Sequence, residues 1–234
     1  MLTTLQRTPA RRLIIFIAAT LLLATGDSMA IEEPAFDLIE KTDAVEIRQY
    51  RPLIVAEAVV DGAMDTASSR GFRLIAAYIF GGNQSVTPKA DKASEKIAMT
   101  APVVVEPLTS SEKIEMTAPV TVTPEGTLPE PGMQANRWRI QFVMPATYSM
   151  ATLPKPTNPA VSLREVPAKR YAVIVFSGLA GKKTVQEKTA ALLASMRTHK
   201  LEPLGAPRLA RYDPPWTLPF FRRNEILIEI AASQ

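Results

Sequence analysis

One short order of residues occurs twice in this chain. Ile47-Arg48 corresponds to Leu163-Arg164, Ala56 to Ala172, Val59 to Val175 and Gly62 to Gly178, all at one constant spacing. Around each set the chain reads as strand, strand, glycine, helix and further strands. Val45, Ile47 and Leu53 to Val60 are short runs rich in β-branched residues and predict strands. Asp61-Gly62 closes them, and Ala63 to Phe80 predicts a first helix that Gly81-Gly82-Asn83 terminates. Beyond Gly178, Val185, Thr189, Leu192, Leu193 and Met196 fall at helical spacing and predict a second helix over Lys182 to His199. A chain written twice in this way is expected to fold as two similar halves of a single α+β domain.

A sharper repeat lies between the helices. Lys96-Ile97-Ala98-Met99-Thr100-Ala101-Pro102-Val103 returns as Lys113-Ile114-Glu115-Met116-Thr117-Ala118-Pro119-Val120. Alternation puts Ile97, Met99, Ala101, Val103 and Val105 on one strand face, and Ile114, Met116, Ala118, Val120 and Val122 on another. A core-facing hairpin joined by Pro107 to Glu112 is expected, with Pro102 and Pro119 at an edge or bulge because proline lacks a ladder donor. Trp138 to Val143 predicts a strand ended by Pro145, and Ile226, Ile228 and Ile230 a final strand. Pro214 to Phe221 is neither helix nor good strand.

The N-terminus reads as a secretory signal. Arg7, Arg11 and Arg12 precede the apolar run Leu13 to Ala24, and Ser28-Met29-Ala30 offers small residues for a peptidase. The run is shorter than the roughly 20 residues a span needs. Residues 1–30 are therefore expected to be removed near Ala30-Ile31, leaving a periplasmic or secreted domain over 31–234 with no membrane span. The pair Arg11-Arg12 leaves a twin-arginine route open. Losing Arg7, Arg11, Arg12 and Asp27 halves the formal net charge of +4, and no dense cationic patch remains to suit nucleic acid.

The chain has no cysteine and one histidine. That inventory removes disulfides, thiolate nucleophiles and multi-histidine metal sites. His199 is the only imidazole, and its expected place is a helix C-terminus rather than a metal.

The doubled Lys-Ile-x-Met-Thr-Ala-Pro-Val, Phe142-Val143-Met144-Pro145, Leu163-Arg164-Glu165-Val166-Pro167, Tyr212-Asp213-Pro214-Pro215 and Arg222-Arg223-Asn224-Glu225 resemble the SOUL haem-binding family, from about Phe36 to Ile230. The resemblance implies a distorted antiparallel β-barrel carrying two helices, in two pseudo-symmetric halves. It implies a tetrapyrrole ligand, haem above all, held by one helix and adjoining loops with basic residues for the propionates. It also implies kinship with effector-binding barrels, some of which hydrolyse small molecules with a buried glutamate.

The residues of the first helix can be read without that resemblance. Ser68, Gly71, Phe72, Ile75, Tyr78 and Ile79 form a face suited to pack on the sheet. The opposite face carries Arg70, Arg73, Leu74, Ala77 and Phe80, where a solvated face would be mostly polar. It suits a flat apolar ligand with anionic ends, since arginine presents a planar fork to carboxylates. A covering loop or partner, with snorkelling arginines, is the alternative. Metal ligands stay open: Met99 and Met116 are expected in the core, while Met144 and Met150 are less constrained. No catalytic constellation is recognisable, so non-catalytic binding by a monomer is expected. A hydrolase would need an acid or base: Glu57, placed facing away from Val55 and Val59, is either a barrel-lining carboxylate or a simple surface residue, and Glu225 beside Arg222 and Arg223 reads as a structural ion pair. Trp216 to Phe221, if exposed and flat, would mark an interaction module.

Overall fold

A computed structural model describes residues 31–42, 44–86, 93–108 and 135–231. The expected signal segment and the second Lys-Ile-x-Met-Thr-Ala-Pro-Val copy lie outside the described residues. Strands β1 (Phe36–Lys41), β2 (Val45–Tyr50) and β3 (Leu53–Asp61) lead to helix α1 (Met64–Ile79). Then come β4 (Asn83–Gln84), β5 (Val103–Pro107), β6 (Arg137–Val143), β7 (Lys155–Pro156), β8 (Ser162–Val166) and β9 (Lys169–Ser177). Helix α2 (Lys182–Thr198), β10 (Arg208–Arg211), a 3-10 turn (Pro219–Phe221) and β11 (Arg223–Ile230) complete the order.

Nine strands form one antiparallel sheet, ordered β1-β2-β9-β11-β10-β5-β6-β3-β8, curled into a half-barrel; β4 and β7 pair separately. The duplication is visible in the register. Ile47 lies opposite Ala172, and Ala56 opposite Leu163. Exchanging each residue for its counterpart in the other half turns one pair into the other, as a pseudo-twofold axis requires. Both turns into the helices use a glycine at positive φ, Gly62 at 125° and Gly178 at 102°, a region that side chains disfavour. Each glycine carbonyl is held by a side chain of the neighbouring strand, Gly62 by Trp138 Nε1 of β6 at 2.9 Å and Gly178 by Asn224 Nδ2 of β11 at 3.0 Å.

Both helices cover one face of the sheet. Trp138, Ile140 and Phe142 of β6 and Ile226, Ile228 and Ile230 of β11 share a core with Ile75, Tyr78 and Ile79 of α1 and Val185, Leu192 and Met196 of α2. Gly71 sets how closely α1 approaches, since a Cβ there would meet Ile140 Cγ1 at 2.5 Å.

The hairpin expectation fails. The strand begins at Val103, after Pro102, and β5 is already flanked by β6 and β10. No ladder edge remains on it for a second copy. Thr100 only bridges to Glu32, and Met99 is exposed rather than core.

Candidate ligand-binding surface

Ser68, Gly71, Ile75, Tyr78 and Ile79 are buried as their spacing predicts, which turns Arg70, Arg73, Ala77 and Phe80 to solvent. Phe80 is 58% exposed. Leu74 differs from expectation: it is half-buried and packs on the core from the flank of this face. Phe72 differs in the opposite sense, lying exposed at the other flank with its ring 5.4 Å from Phe142. The outer face of α1 is thus a strip of Ala77 and Phe80 between Leu74 and Phe72, crossed by two guanidinium groups.

Those two groups are unusual here. Of the described arginines, only Arg70, Arg73 and Arg197 lack a described partner. Helix α2 is an internal control, because it follows the same glycine turn and packs on the same sheet. Its outer face shows no large exposed apolar side chain, and Lys183 reaches Glu187 at 3.9 Å.

On the opposite face of the sheet, charge is saturated. Arg48 Nη1 donates to the fully buried Glu225 at 2.9 Å and its Nη2 to Glu46 at 2.5 Å. Arg223 Nη2 and the Tyr212 hydroxyl also donate to Glu225, at 2.8 and 2.7 Å. The expected ion pair of Glu225 is therefore made with Arg223 and Arg48. Arg222 instead donates to the Thr217 and Pro215 carbonyls. Burial followed by the charge of Glu225 pushes the Tyr212 phenol well above its ordinary range. Burial pushes Tyr171, beside Arg208, up to about 12.

Glu57 lines this same face, beside Gln141 and Arg164, and shares it with Val55 because residues two apart in a strand point the same way. The facing-away expectation is corrected. Arg164 Nη2 and Gln141 Nε2 donate to it at 3.0 and 2.9 Å. Burial alone would raise its pKa, but the hydrogen bonds from Arg164 and Gln141 and the charges of Arg164 and Arg139 outweigh that and hold it below the usual carboxylate value. A carboxylate held this way is a poor proton donor at neutral pH. The cavity among Tyr50, Tyr171, Tyr212 and Arg208 on this face measures only about 70 Å³, room for a few waters.

Two overlapping stretches, residues 31–111 and 106–229, match the family described as SOUL heme-binding protein. The chain belongs to the SOUL heme-binding protein family. No curated protein matches the chain. Among solved structures it is similar to the C-terminal domain of EcmrR, with TM-score 0.53 and 10% identity over 81% of this chain and 98% of that one. It is also similar to an uncharacterised conserved protein from Listeria innocua, with TM-score 0.51 and 10% identity over 80% and 92%. A hydrolase from Listeria innocua follows at TM-score 0.49 and 10% identity, over 82% and 94%. At such identity the likeness shows the fold alone.

Membership of a haem-binding family directs attention to iron ligands. His199 caps α2, with Nδ1 2.8 Å from the Ser195 carbonyl, as its sequence position suggested. Met144 is buried, Met150 is exposed, and Met116 lies outside the described residues. The α1 strip offers the porphyrin edge and carboxylates a fit, but no His, Met, Cys or Tyr for the iron: Tyr78 is buried and donates to the Pro154 carbonyl.

Sequence reasoning missed one feature. A cavity of about 440 Å³ opens where the two helices begin, lined by Met64, Trp138, Val185, Ala135, Lys182 and Gln186 among others. Its volume falls in the range of ligand pockets, ~300–1,000 Å³. The only advance signal was the duplication itself, which predicts a helix start after the glycine turn of each half, at Met64 in one and Lys182 in the other. Among the described residues no helix is long and apolar enough to cross a membrane.

Proposed function

We propose that this protein binds haem or a closely related anionic tetrapyrrole without transforming it. The outer face of α1 is the contact surface. The observation that carries this reading is the pair Arg70 and Arg73, which have no partner among the described residues and stand beside exposed Phe80, whereas nearly all the other described arginines are paired. Phe80, Ala77 and the flank of Leu74 would meet the ring, and the guanidinium groups its propionates. Bound haem would supply an iron centre, which this face leaves without a side-chain ligand, so affinity rests on the ring and its carboxylates. The held-down Glu57 and the saturated Glu225 favour binding over hydrolysis.

The test is a titration of wild type and the Arg70→Ala, Arg73→Ala double variant with hemin and with a tetrapyrrole lacking carboxylates. Losing both contacts should weaken hemin binding by about 2–4 kcal/mol, about thirtyfold to a thousandfold. The uncharged tetrapyrrole should be much less sensitive. Iron-free protoporphyrin, which keeps the carboxylates, should bind nearly as well as hemin. Equal hemin affinity in the two proteins would sink the assignment.

The 440 Å³ cavity favours a second location. Gln186→Trp fills it from the rim. Loss of hemin binding there, with the arginine double variant unaffected, would move the ligand to the helix starts.

The domain is exported, in this reading, after cleavage between Ala30 and Ile31. The charge and apolar order of residues 1–30 supports this, as does a family match that begins at residue 31. The intact mass of protein from the extracytoplasmic fraction should correspond to residues 31–234, and full-length chain retained in the membrane would refute it.

A further inference from the structure

The cavity of about 440 Å³ where α1 and α2 begin has walls that hydrogen bonds hold in place. Trp138 Nε1 donates to the Gly62 carbonyl at 2.9 Å, which fixes the indole. Gly62 N donates in turn to the Asn136 carbonyl at 2.8 Å. Arg211 Nη2 joins the two helix starts, donating to Asp65 Oδ1 at 3.2 Å and to the Ala180 carbonyl at 3.1 Å. Met64, Trp138 and Val185 form the apolar wall, each of them part of the buried core, and Ala63 and Ala135 extend it.

The polar lining is open where the wall is fixed. The side chains of Lys182, Gln186 and Asn136 have no partner among the described residues. Asp65 is the one acid of the lining, and Arg211 compensates it. Counting Arg211, the cavity has two bases against one acid, and the unmet charge is that of Lys182. An apolar wall, a few converging polar groups with hydrogen-bonding capacity to spare and a volume in the ligand range together make a small-molecule site. At about 30 Å³ apiece, the volume holds on the order of fifteen heavy atoms.

We propose that this cavity binds an apolar monocarboxylate of that size, with its hydrocarbon part against Trp138, Met64 and Val185 and its carboxylate at Lys182, beside the amides of Gln186 and Asn136. Such a ligand is smaller than a tetrapyrrole and carries one acid group rather than a pair of propionates. The inference is independent of the α1 reading. None of Arg70, Arg73, Leu74, Ala77 and Phe80 lines the cavity, and Phe80 stands about 24 Å along the helix from Met64.

Residues 31–234 form a compact unit by themselves and are the protein to use. The chain has two tryptophans, and Trp216 is 82% exposed, so Trp216→Phe leaves Trp138 as a reporter in the cavity wall. Dodecanoate should change Trp138 emission saturably, and dodecanol, which lacks the charge, should bind about tenfold more weakly. Lys182→Gln should weaken dodecanoate about tenfold and leave dodecanol unchanged. Gln186→Trp, read by calorimetry, should lose dodecanoate with an unchanged thermal midpoint. Hemin should bind the dodecanoate-saturated protein with unaltered affinity. The absence of a saturable response to dodecanoate, equal dodecanoate affinity in the Lys182→Gln variant, or undiminished binding by a folded Gln186→Trp variant would overturn the proposal. So would displacement of dodecanoate by hemin, or loss of both ligands in Gln186→Trp, either of which would give the cavity to the tetrapyrrole. Dodecanoate binding without any hemin binding would leave this proposal standing and sink the proposed function.

Discussion

The arginines of the half-barrel face and the arginines of α1 differ in one respect, and it separates structure from function. Arg48, Arg208 and Arg223 each meet carboxylates within 3 Å and lie beside tyrosines, Tyr50 and Tyr171 buried and Tyr212 half-buried. Arg70 and Arg73 meet no described acid and stand among exposed apolar side chains. The first set holds charges that would be costly alone in the interior. The second set is left available, and it costs the fold little because exposed charges contribute little to stability. In the function proposed here, pairing rather than the number of arginines is what distinguishes the receivers of a ligand's carboxylates.

The largest expected effect breaks the structural side of that contrast. Arg48→Met leaves Glu225 buried with Arg223 and Tyr212 only, and should lower unfolding free energy by about 3 kcal/mol, read in urea melts. Hemin affinity of the folded fraction should be unchanged. The Arg70→Ala, Arg73→Ala variant should do the reverse, losing hemin affinity while its unfolding free energy moves by less than about 0.5 kcal/mol. If the two variants behaved alike, the contrast would have no functional meaning.

A smaller effect comes from pH. The carboxyl of Glu57 has a folded pKa below its ordinary value, because Arg164 and Gln141 outweigh the effect of burial. A carboxyl lowered on folding adds stability above its unfolded pKa and loses it as pH falls through the folded one. Stability should therefore decline below about pH 4.5, and Glu57→Gln should flatten part of that decline. An unchanged acid slope in the variant would show that the Glu57 cluster is not held as described. The smallest effect is at His199. His199→Ala removes a helix cap outside the candidate surface and should change hemin affinity by less than about twofold, with the Soret position unmoved. A lost Soret shift would reveal an iron ligand that α1 does not supply.

What the sequence determined by itself is local or repeated. The glycine turns at Gly62 and Gly178, the buried stripe Ser68, Gly71, Ile75, Tyr78 and Ile79, and the strands ending at Val143 and Ile230 follow from spacing and residue type, which act over a few positions. The duplication even anticipated which residues would be equivalent, Ile47 with Leu163 and Ala56 with Ala172. The exposed α1 face with Arg70, Arg73, Ala77 and Phe80 was legible for the same reason, because helical period fixes both faces at once. Tertiary structure decided what depends on residues far apart in the chain. It flanked β5 with β6 and β10 and so removed the expected hairpin, since a strand has only two edges. It joined Arg48 to Glu225 and Arg164 to Glu57, giving charges partners that no local pattern names. It made the cavity beside Met64 and Lys182 by bringing two helix starts together, a proximity that comes from curling one sheet rather than from any property of the residues that line it.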